Sequence, residues 1–239
     1  MSKNFFFNYE EYDFWPLYDS IKKYYPIGIK KNQHFDVYRQ YPGIQDLEKL
    51  IVERLEGKNP GYDSWKSFLK KLGDKIGKQA HGATFGYTPS YSAYMNLESK
   101  TKGNRWILKD LCFSVSHLGE FYQIYGIEKS VLSYVMEYEG EEVPYQIVNL
   151  KRIVISPNGE FKYYFEEIEK YISETYIQYR LVPFKIGQTI IDGLQIFHMD
   201  NEICSINMAL FNDFLGLGEQ VDEVEPEGDL LYGMENWRK

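Results

Sequence analysis

Residues 111–125 read LCFSVSHLGEFYQIY and lie at the point where the chain turns from helical to extended patterns. Apolar and aromatic residues dominate two segments, 111–116 and 120–125, on either side of Leu118 and Gly119. Short runs rich in Val, Phe, Tyr and Ile, joined by a glycine-containing connection, are typical of a β-hairpin. We therefore predict two antiparallel strands near the middle of the chain.

The segments before this hairpin have a helical pattern. Apolar residues at 44, 47, 50, 51 and 55 follow α-helical spacing, and Gly57 suits the end of that helix. A second apolar stripe at 65, 68, 69, 72 and 76 predicts a helix from Asp63 or Ser64 to Ile76, with most of its lysines facing away. A strand is expected near residues 92–97.

The segments after the hairpin are mostly extended. Ser156-Pro157-Asn158-Gly159 is a turn sequence that predicts a hairpin between 145–155 and 160–164. A helix is predicted over 165–174 and a strand over 176–184. A further hairpin, from 190–199 and 202–211, is expected around Asp200 and Asn201.

Helices that precede a run of strands favour the α+β class. We expect one α+β domain over residues 1–239, with N-terminal helices, a largely antiparallel sheet and one helix inserted among the later strands. Residues 219–239 are acidic and are a candidate tail, although Leu230, Leu231, Tyr232 and Trp237 favour docking of the end.

Charge is divided unevenly along the chain. Residues 1–118 carry 18 Lys/Arg against 13 Asp/Glu, whereas residues 119–239 carry 9 against 22, and the net charge is −8. This balance argues against nucleic-acid binding, which favours a clustered positive surface. No stretch has the roughly 18 apolar residues of a membrane span, so no membrane partner is expected. Cys112 and Cys204 lie in apolar settings and are predicted to be buried free thiols of a cytoplasmic protein.

Catalytic and cofactor motifs do not emerge from the sequence. The four histidines lack zinc-site spacing, and Ser114-Val115-Ser116-His117 would place its hydroxyls and its imidazole on opposite strand faces. Residues 82–88 are glycine-rich, but they lack the phosphate-loop and dinucleotide signatures. We therefore predict no cofactor, no metal site and no catalytic residue, and the sequence leaves enzymatic activity open.

The remaining feature is an acidic cluster interleaved with tyrosine, formed by Glu137, Tyr138, Glu139, Glu141 and Glu142. In this acidic, aromatic-rich character the chain resembles bacterial immunity proteins, cytoplasmic inhibitors that neutralise cognate secreted toxins. The resemblance implies a non-catalytic protein-binding inhibitor whose partner is a basic toxin domain, with this cluster as the contact surface. Charge would steer the encounter and buried tyrosine rings would hold the complex.

Two alternatives remain open at this point. One is a hydrolase-like enzyme whose site combines scattered Glu or Asp, Tyr and His residues; an acid with a raised pKa in an apolar cleft would favour it. The other is a small-molecule or glycan-binding module that uses aromatic rings such as those of Trp15, Trp65 and Trp106.

Overall fold

A computed structural model describes residues 10–84, 86–138, 141–198, 203–212 and 224–239. The helices are α1 (Trp15–Tyr24), α2 (Phe35–Arg39), α3 (Pro42–Leu55), α4 (Pro60–Ile76), α5 (Lys162–Thr175), α6 (Phe184–Gly187) and α7 (Ile206–Leu210). The strands are β1 (Ala80–Gly82), β2 (Ser90–Lys102), β3 (Arg105–Ser116), β4 (Phe121–Tyr138), β5 (Glu141–Val154) and β6 (Arg180–Leu181). The predicted α+β class is confirmed.

The two predicted N-terminal helices are confirmed, and both begin slightly earlier than their apolar stripes. Each begins with a proline, a residue whose fixed φ suits the first helical position. Asn59 caps α4 by accepting a hydrogen bond from the Gly61 N–H at 2.8 Å, which explains the early start. Gly77, with φ +74°, ends the same helix in the left-handed conformation.

The sheet has the strand order β1-β2-β3-β4-β5, with antiparallel pairing throughout this series. The predicted hairpin at 111–125 is confirmed as β3 and β4, and both strands extend well beyond it. The short strand β6 pairs in parallel with the start of β4. The long meander is therefore the frame on which α4 and α5 pack.

Helices α4 and α5 cover one face of the sheet, which we call the helix face. Its buried core contains the side chains Trp65, Phe68, Met95, Leu111, Phe113, Ile124, Phe165, Ile168 and Ile172. Gly126 of β4 permits close approach here, since a Cβ at that position would lie 2.6 Å from the Phe161 ring. The opposite face has its own buried cluster, which includes Cys112, Tyr125 and Ile153 and is packed by Phe184 and Val224.

The hairpin predicted between 145–155 and 160–164 is wrong in its second half. Strand β5 ends at Val154, and residues Gly159–Phe161 form a 3-10 turn that leads directly into α5. Phe161, Phe165, Ile168 and Ile172 are fully buried at helical spacing. Burial of this stripe on the helix face outweighs the local turn signal, so α5 begins before the predicted residue 165.

The later strands are also mostly wrong. In segment 176–184 only Arg180–Leu181 is strand, and Phe184–Gly187 is helical. In the second predicted hairpin, Ile190 pairs with Ser205 in an isolated bridge. Residues Ile206–Leu210 are helical because Ser205 caps them, accepting from the Met208 N–H at 3.3 Å. The expected turn residues Asp200 and Asn201 lie outside the described residues.

The described part of the C-terminal segment, 224–239, packs against the body of the protein. Trp237 is fully buried, and its indole N–H donates to the Leu181 carbonyl at 2.7 Å. The Glu227 N–H donates to the Ile153 carbonyl of β5 at 2.8 Å, and the Ile155 N–H, just after β5, donates to the Glu227 carbonyl at 3.0 Å. Its carboxylate also contacts the Arg152 guanidinium at 2.8 Å. The candidate tail residues 219–223 lie outside the described residues.

Cys112 and Cys204 are buried free thiols, as predicted, and burial raises the pKa of Cys112 to about 12.

Some charges of the basic first half of the chain pair with charges of the acidic second half. Lys75 of α4, for example, lies 3.6 Å from Glu174 of α5. In the described part of the chain, no helix has both the length and the apolar character needed to cross a membrane.

Candidate functional site: the β4–β5 arm

Strands β4 and β5 project beyond the rest of the sheet as a two-stranded ribbon. The pairing of β3 with β4 ends where Arg105 meets Leu132, whereas β4 and β5 stay paired as far as Tyr138 and Glu141. We call residues 133–146 the arm. Residues 141–147 are all exposed, so the arm is a solvent-surrounded extension of the sheet.

The backbone direction in the arm follows from one hydrogen bond. The Ser133 N–H donates to the Asn104 carbonyl at 3.0 Å, so the backbone N–H and C=O of Ser133 point away from β5. Along a strand, the backbone groups of successive residues point to alternate sides. The backbone N–H and C=O groups of Val135 and Glu137 therefore also point away from β5. The pairs Val135–Pro144 and Glu137–Glu142 are consequently non-hydrogen-bonded pairs, in which opposite side chains lie closest.

One face of the arm carries an apolar stripe. Even-numbered residues of β4 continue the helix face beyond Gly126, because side chains alternate between the two faces of a strand. With their β5 partners they form the set Leu132, Tyr134, Met136, Val143, Tyr145 and Ile147. The Tyr134 and Tyr145 rings lie 5.2 Å apart, and Tyr145 and Ile147 are 46% and 45% exposed. We call this set the apolar stripe. An exposed two-stranded ribbon usually carries polar side chains, so this apolar surface is unusual.

The opposite face of the arm carries acidic side chains at its end. Glu137 lies directly opposite Glu142, and both are exposed. Val135, which is 62% exposed, and its partner Pro144 come next toward the body of the sheet. Glu141 lies at the same end, opposite the Tyr138 backbone. We call Glu137, Glu141 and Glu142 the acidic tip.

The structure therefore brings three of the five sequence-predicted binding residues together at one exposed end. Glu139 lies outside the described residues, and of Tyr138 only the backbone is described. The apolar stripe does not emerge from the sequence prediction, which contains no strand between residues 126 and 144. The alternation of Leu132, Tyr134 and Met136, followed by Glu139-Gly140, could have indicated this hairpin.

The other sequence candidates for nucleophilic chemistry are separated in space. Ser114 Oγ donates to Ser92 Oγ at 3.0 Å and accepts from Asn212 Nδ2 at 3.1 Å, on the face opposite the helices. His117 packs edge-on against the Tyr91 ring, with centroids 4.1 Å apart, and its Nε2 lies 3.3 Å from Arg54 Nη1. Burial and the Arg54 charge lower the pKa of His117 to about 3. The imidazole therefore faces a cation rather than a hydroxyl.

The glycine-rich loop is held by the same arginine. Arg54 Nη1 donates to the Thr88 carbonyl at 2.7 Å, and Nη2 donates to the Gly86 carbonyl. A phosphate-binding loop turns backbone N–H groups toward its ligand, whereas this loop turns carbonyls toward a cation. Its contacts with Arg54 are those of a structural clamp.

A groove of about 750 Å³ lies between α4 and β1, lined in part by Tyr62, Trp65, Lys66, Lys70 and Lys78. The Trp65 ring stacks with Phe68 at 5.0 Å and with Tyr91 at 5.7 Å, and the residue is only 1% exposed. Lys78 Nζ donates to the Leu97 carbonyl at 3.1 Å. Trp65 therefore has no free ring face on which a sugar or base could stack.

Glu169 of α5 is a carboxylate with a raised pKa, the feature that would favour an enzyme. Burial raises its pKa, while the hydroxyls of Tyr232 and Tyr122 both donate to it, the latter at 3.4 Å. Each carboxylate oxygen thus accepts a phenol hydrogen bond. This arrangement fixes the C-terminal segment on α5 and uses the atoms that a general base would need.

Among the described residues, no group of three or more His, Cys, Asp or Glu side chains could hold a metal ion. No protein family model matches the chain, and neither a curated protein nor a solved structure is significantly similar to it. A functional assignment therefore rests on the geometry of the arm.

Proposed function

We propose that this chain is a cytoplasmic, non-catalytic protein-binding inhibitor, an immunity protein that neutralises a cognate bacterial toxin through the acidic tip of its arm. The observation that carries the proposal is the opposition of Glu137 and Glu142 at an exposed strand end. Like charges directly opposite on neighbouring strands destabilise the pair. A cationic group of a partner placed between them would remove this repulsion on binding.

The surroundings of the acidic pair support a protein partner. Val135 and Pro144 lie beside the two carboxylates on the same face, and Val135 is largely exposed. Protein interfaces combine a buried apolar centre with charges that set orientation and association rate. A partner with basic side chains around an apolar depression would complement both parts of this surface.

The negative charge of the acidic tip favours a basic protein as the partner. Carboxylates at the end of a projecting ribbon repel nucleic acids and anionic membranes, and they attract a basic groove. Toxin domains that act on nucleic acids carry such grooves, because their substrate is a polyanion. An arm of this shape would block the groove sterically, and the inhibitor would need no catalytic residue of its own.

The test begins with affinity capture of a partner at low and moderate salt, followed by an assay of that partner's activity. The variant reverses Glu137, Glu141 and Glu142 to Lys. A matched control reverses Asp19, Asp46 and Asp74, exposed residues of α1, α3 and α4, and changes the net charge equally. We expect the arm variant to associate more slowly and to lose inhibition, while the control retains both.

Two outcomes would reject the proposal. The arm variant could bind and inhibit the captured partner as well as the unmodified protein does, in which case the tip is not the contact surface. Alternatively, the purified chain could show turnover that Glu169→Gln abolishes, which would place an active site on α5. Circular dichroism of each variant verifies that the fold is retained.

A further inference from the structure

The apolar stripe lies just beyond the layer of helices. On the helix face, Glu160 in the 3-10 turn before α5 contacts Lys109 at 2.8 Å and Arg152 at 3.0 Å. These contacts mark the edge of the covered region. Farther along the strands, Met136, Val143, Tyr145 and Ile147 are all at least 37% exposed. An uninterrupted apolar face of this kind is typical of an interaction surface.

The outer edge of β5 is poorly suited to strand addition. Because the Val135–Pro144 pair is non-hydrogen-bonded, the proline nitrogen lies on this outer edge, where it supplies no donor. Proline at such a position opposes the addition of another strand along β5. Pro144 therefore favours an occupant that stacks on the apolar stripe over one that extends the sheet at β5.

Charges flank the stripe with opposite sign at its two ends on the helix face. At the root, Lys102 pairs with Arg105, which pairs with Leu132 of the stripe, and both basic side chains are exposed. Glu141 lies on the same face at the other end, because it alternates with Val143 and Tyr145. The two ends are six residues apart along β4, about 20 Å at the usual strand rise.

We propose that a second copy of this chain packs on the apolar stripe, face to face and with the two arms antiparallel. A two-fold axis across the middle of the stripe would bring the Tyr134–Tyr145 pair of each copy onto Met136 and Val143 of the other. Aromatic rings against a thioether and a branched aliphatic side chain make favourable contacts. The same axis would place the acidic Glu141 of each copy at the root end of the other, two strands or about 10 Å from Arg105.

The surface is self-complementary, as a two-fold interface requires. A parallel arrangement would bring the two Glu141 carboxylates close together, so charge favours the antiparallel one. The pattern of charge on the helix face thus favours a copy of the chain over a uniformly basic or acidic partner. The end of each arm would lie over Leu132 and Ile147 of the other copy, before the row of Glu128 and Arg152 where the Glu160 contact marks the helix layer.

This inference goes beyond the proposed inhibitor function and does not depend on it. Glu137 and Glu142 point to the opposite face of the arm and would remain accessible in the dimer. The Glu137–Glu142 pair would then be presented twice in one assembly. A small interface of this kind belongs to the weak, transient class.

The experiment uses the full chain alone, by sedimentation velocity from about 5 µM to about 500 µM, a range suited to weak association. We expect a concentration-dependent dimer. Tyr145→Ser should raise its dissociation constant about tenfold or more, as for a buried aromatic contact at an interface. Val135→Ser, on the opposite face of the same arm, is the matched control and should leave the dissociation constant unchanged.

Charge reversal provides the sharper test. Arg105→Glu and Glu141→Arg should each weaken the dimer several-fold, and the two together in one chain should restore it, because each copy then carries the complementary pattern. A chain that stays monomeric at the highest concentration would overturn the proposal. So would additive weakening in the doubly reversed chain, or a dimer that Val135→Ser disrupts and Tyr145→Ser does not.

Discussion

The guanidinium of Arg54 and the imidazole of His117 lie side by side, with 3.3 Å between Nη1 and Nε2. Because an arginine nitrogen can only donate, the geometry requires His117 Nε2 to be the unprotonated acceptor. Arg54 is only 6% exposed, and its remaining hydrogen bonds go to the carbonyls of Gly86, Thr88 and Ser90. A buried cation thus joins α3 to the loop that precedes β2.

Replacing Arg54 with Met should destabilise the protein, because the loop carbonyls would lose their donors. Unsatisfied buried acceptors cost about 1–3 kcal/mol each, so we expect a loss of about 3 kcal/mol in the free energy of unfolding. Urea unfolding followed by fluorescence measures it. Arg39→Met removes an exposed contact with Glu48 and should cost little. Equal effects of the two substitutions would contradict the clamp.

His117 should make stability depend on pH. Its pKa in the folded protein is lowered from 6.5 to about 3 by burial and by Arg54. Between these values the unfolded chain binds a proton that the folded chain does not, so stability falls as pH falls. The slope for one group is at most about 1.4 kcal/mol per pH unit. Because the ring keeps partial exposure, we expect less than this maximum.

Urea unfolding at several values between pH 4 and pH 7 tests this dependence. The difference in unfolding free energy between the unmodified protein and His117→Gln isolates the contribution of His117 from that of the carboxylates. The unfolding free energy of the unmodified protein, relative to that of His117→Gln, should decrease as pH falls. Parallel curves for the two proteins would show that His117 does not titrate differently on folding.

Trp237 should anchor the C-terminal segment. Its ring lies 5.4 Å from Phe14 and 6.0 Å from Phe121, and Arg180 lies over it at 5.3 Å. Trp237→Ala removes this packing and the hydrogen bond to Leu181, and we expect a loss of about 3–5 kcal/mol. Leu231→Ala, at a side chain that is 60% exposed, should change stability little. Thermal unfolding distinguishes them; similar melting temperatures would show that the end contributes no stability.

The sequence predicts best where one periodic pattern acts alone. The stripes of α3 and α4 and the hairpin at 111–125 each follow a single spacing, and all three are present. Sequence-based prediction fails where a local turn sequence competes with the burial of apolar side chains on the sheet. Ser156–Gly159 is a good hairpin turn by composition, yet Phe161 and Phe165 pack on the sheet as the start of a helix.

The proposed contact surface can be predicted from the sequence in residue type but not in form. Glu137, Glu141 and Glu142 are visible as an acidic cluster, but their position at the end of a projecting ribbon depends on how far β3 extends beside β4. That length is a property of tertiary pairing rather than of any one segment. Likewise, the buried Arg54 resembles any other surface arginine of an amphipathic helix until the loop at 86–90 folds over it.

The opposition of Glu137 and Glu142 predicts that the arm is less stable than its pairing alone would make it. Replacing Glu142 with Lys converts a repulsive cross-strand pair into an attractive one. We expect slower amide hydrogen exchange across residues 133–146, measured by mass spectrometry at low salt. Added salt should reduce the difference, because it screens exposed charges. Glu141→Lys changes the net charge equally but lies opposite Tyr138, so it should slow exchange less. If both substitutions slow exchange equally, general charge rather than the directly opposed pair limits the stability of the arm.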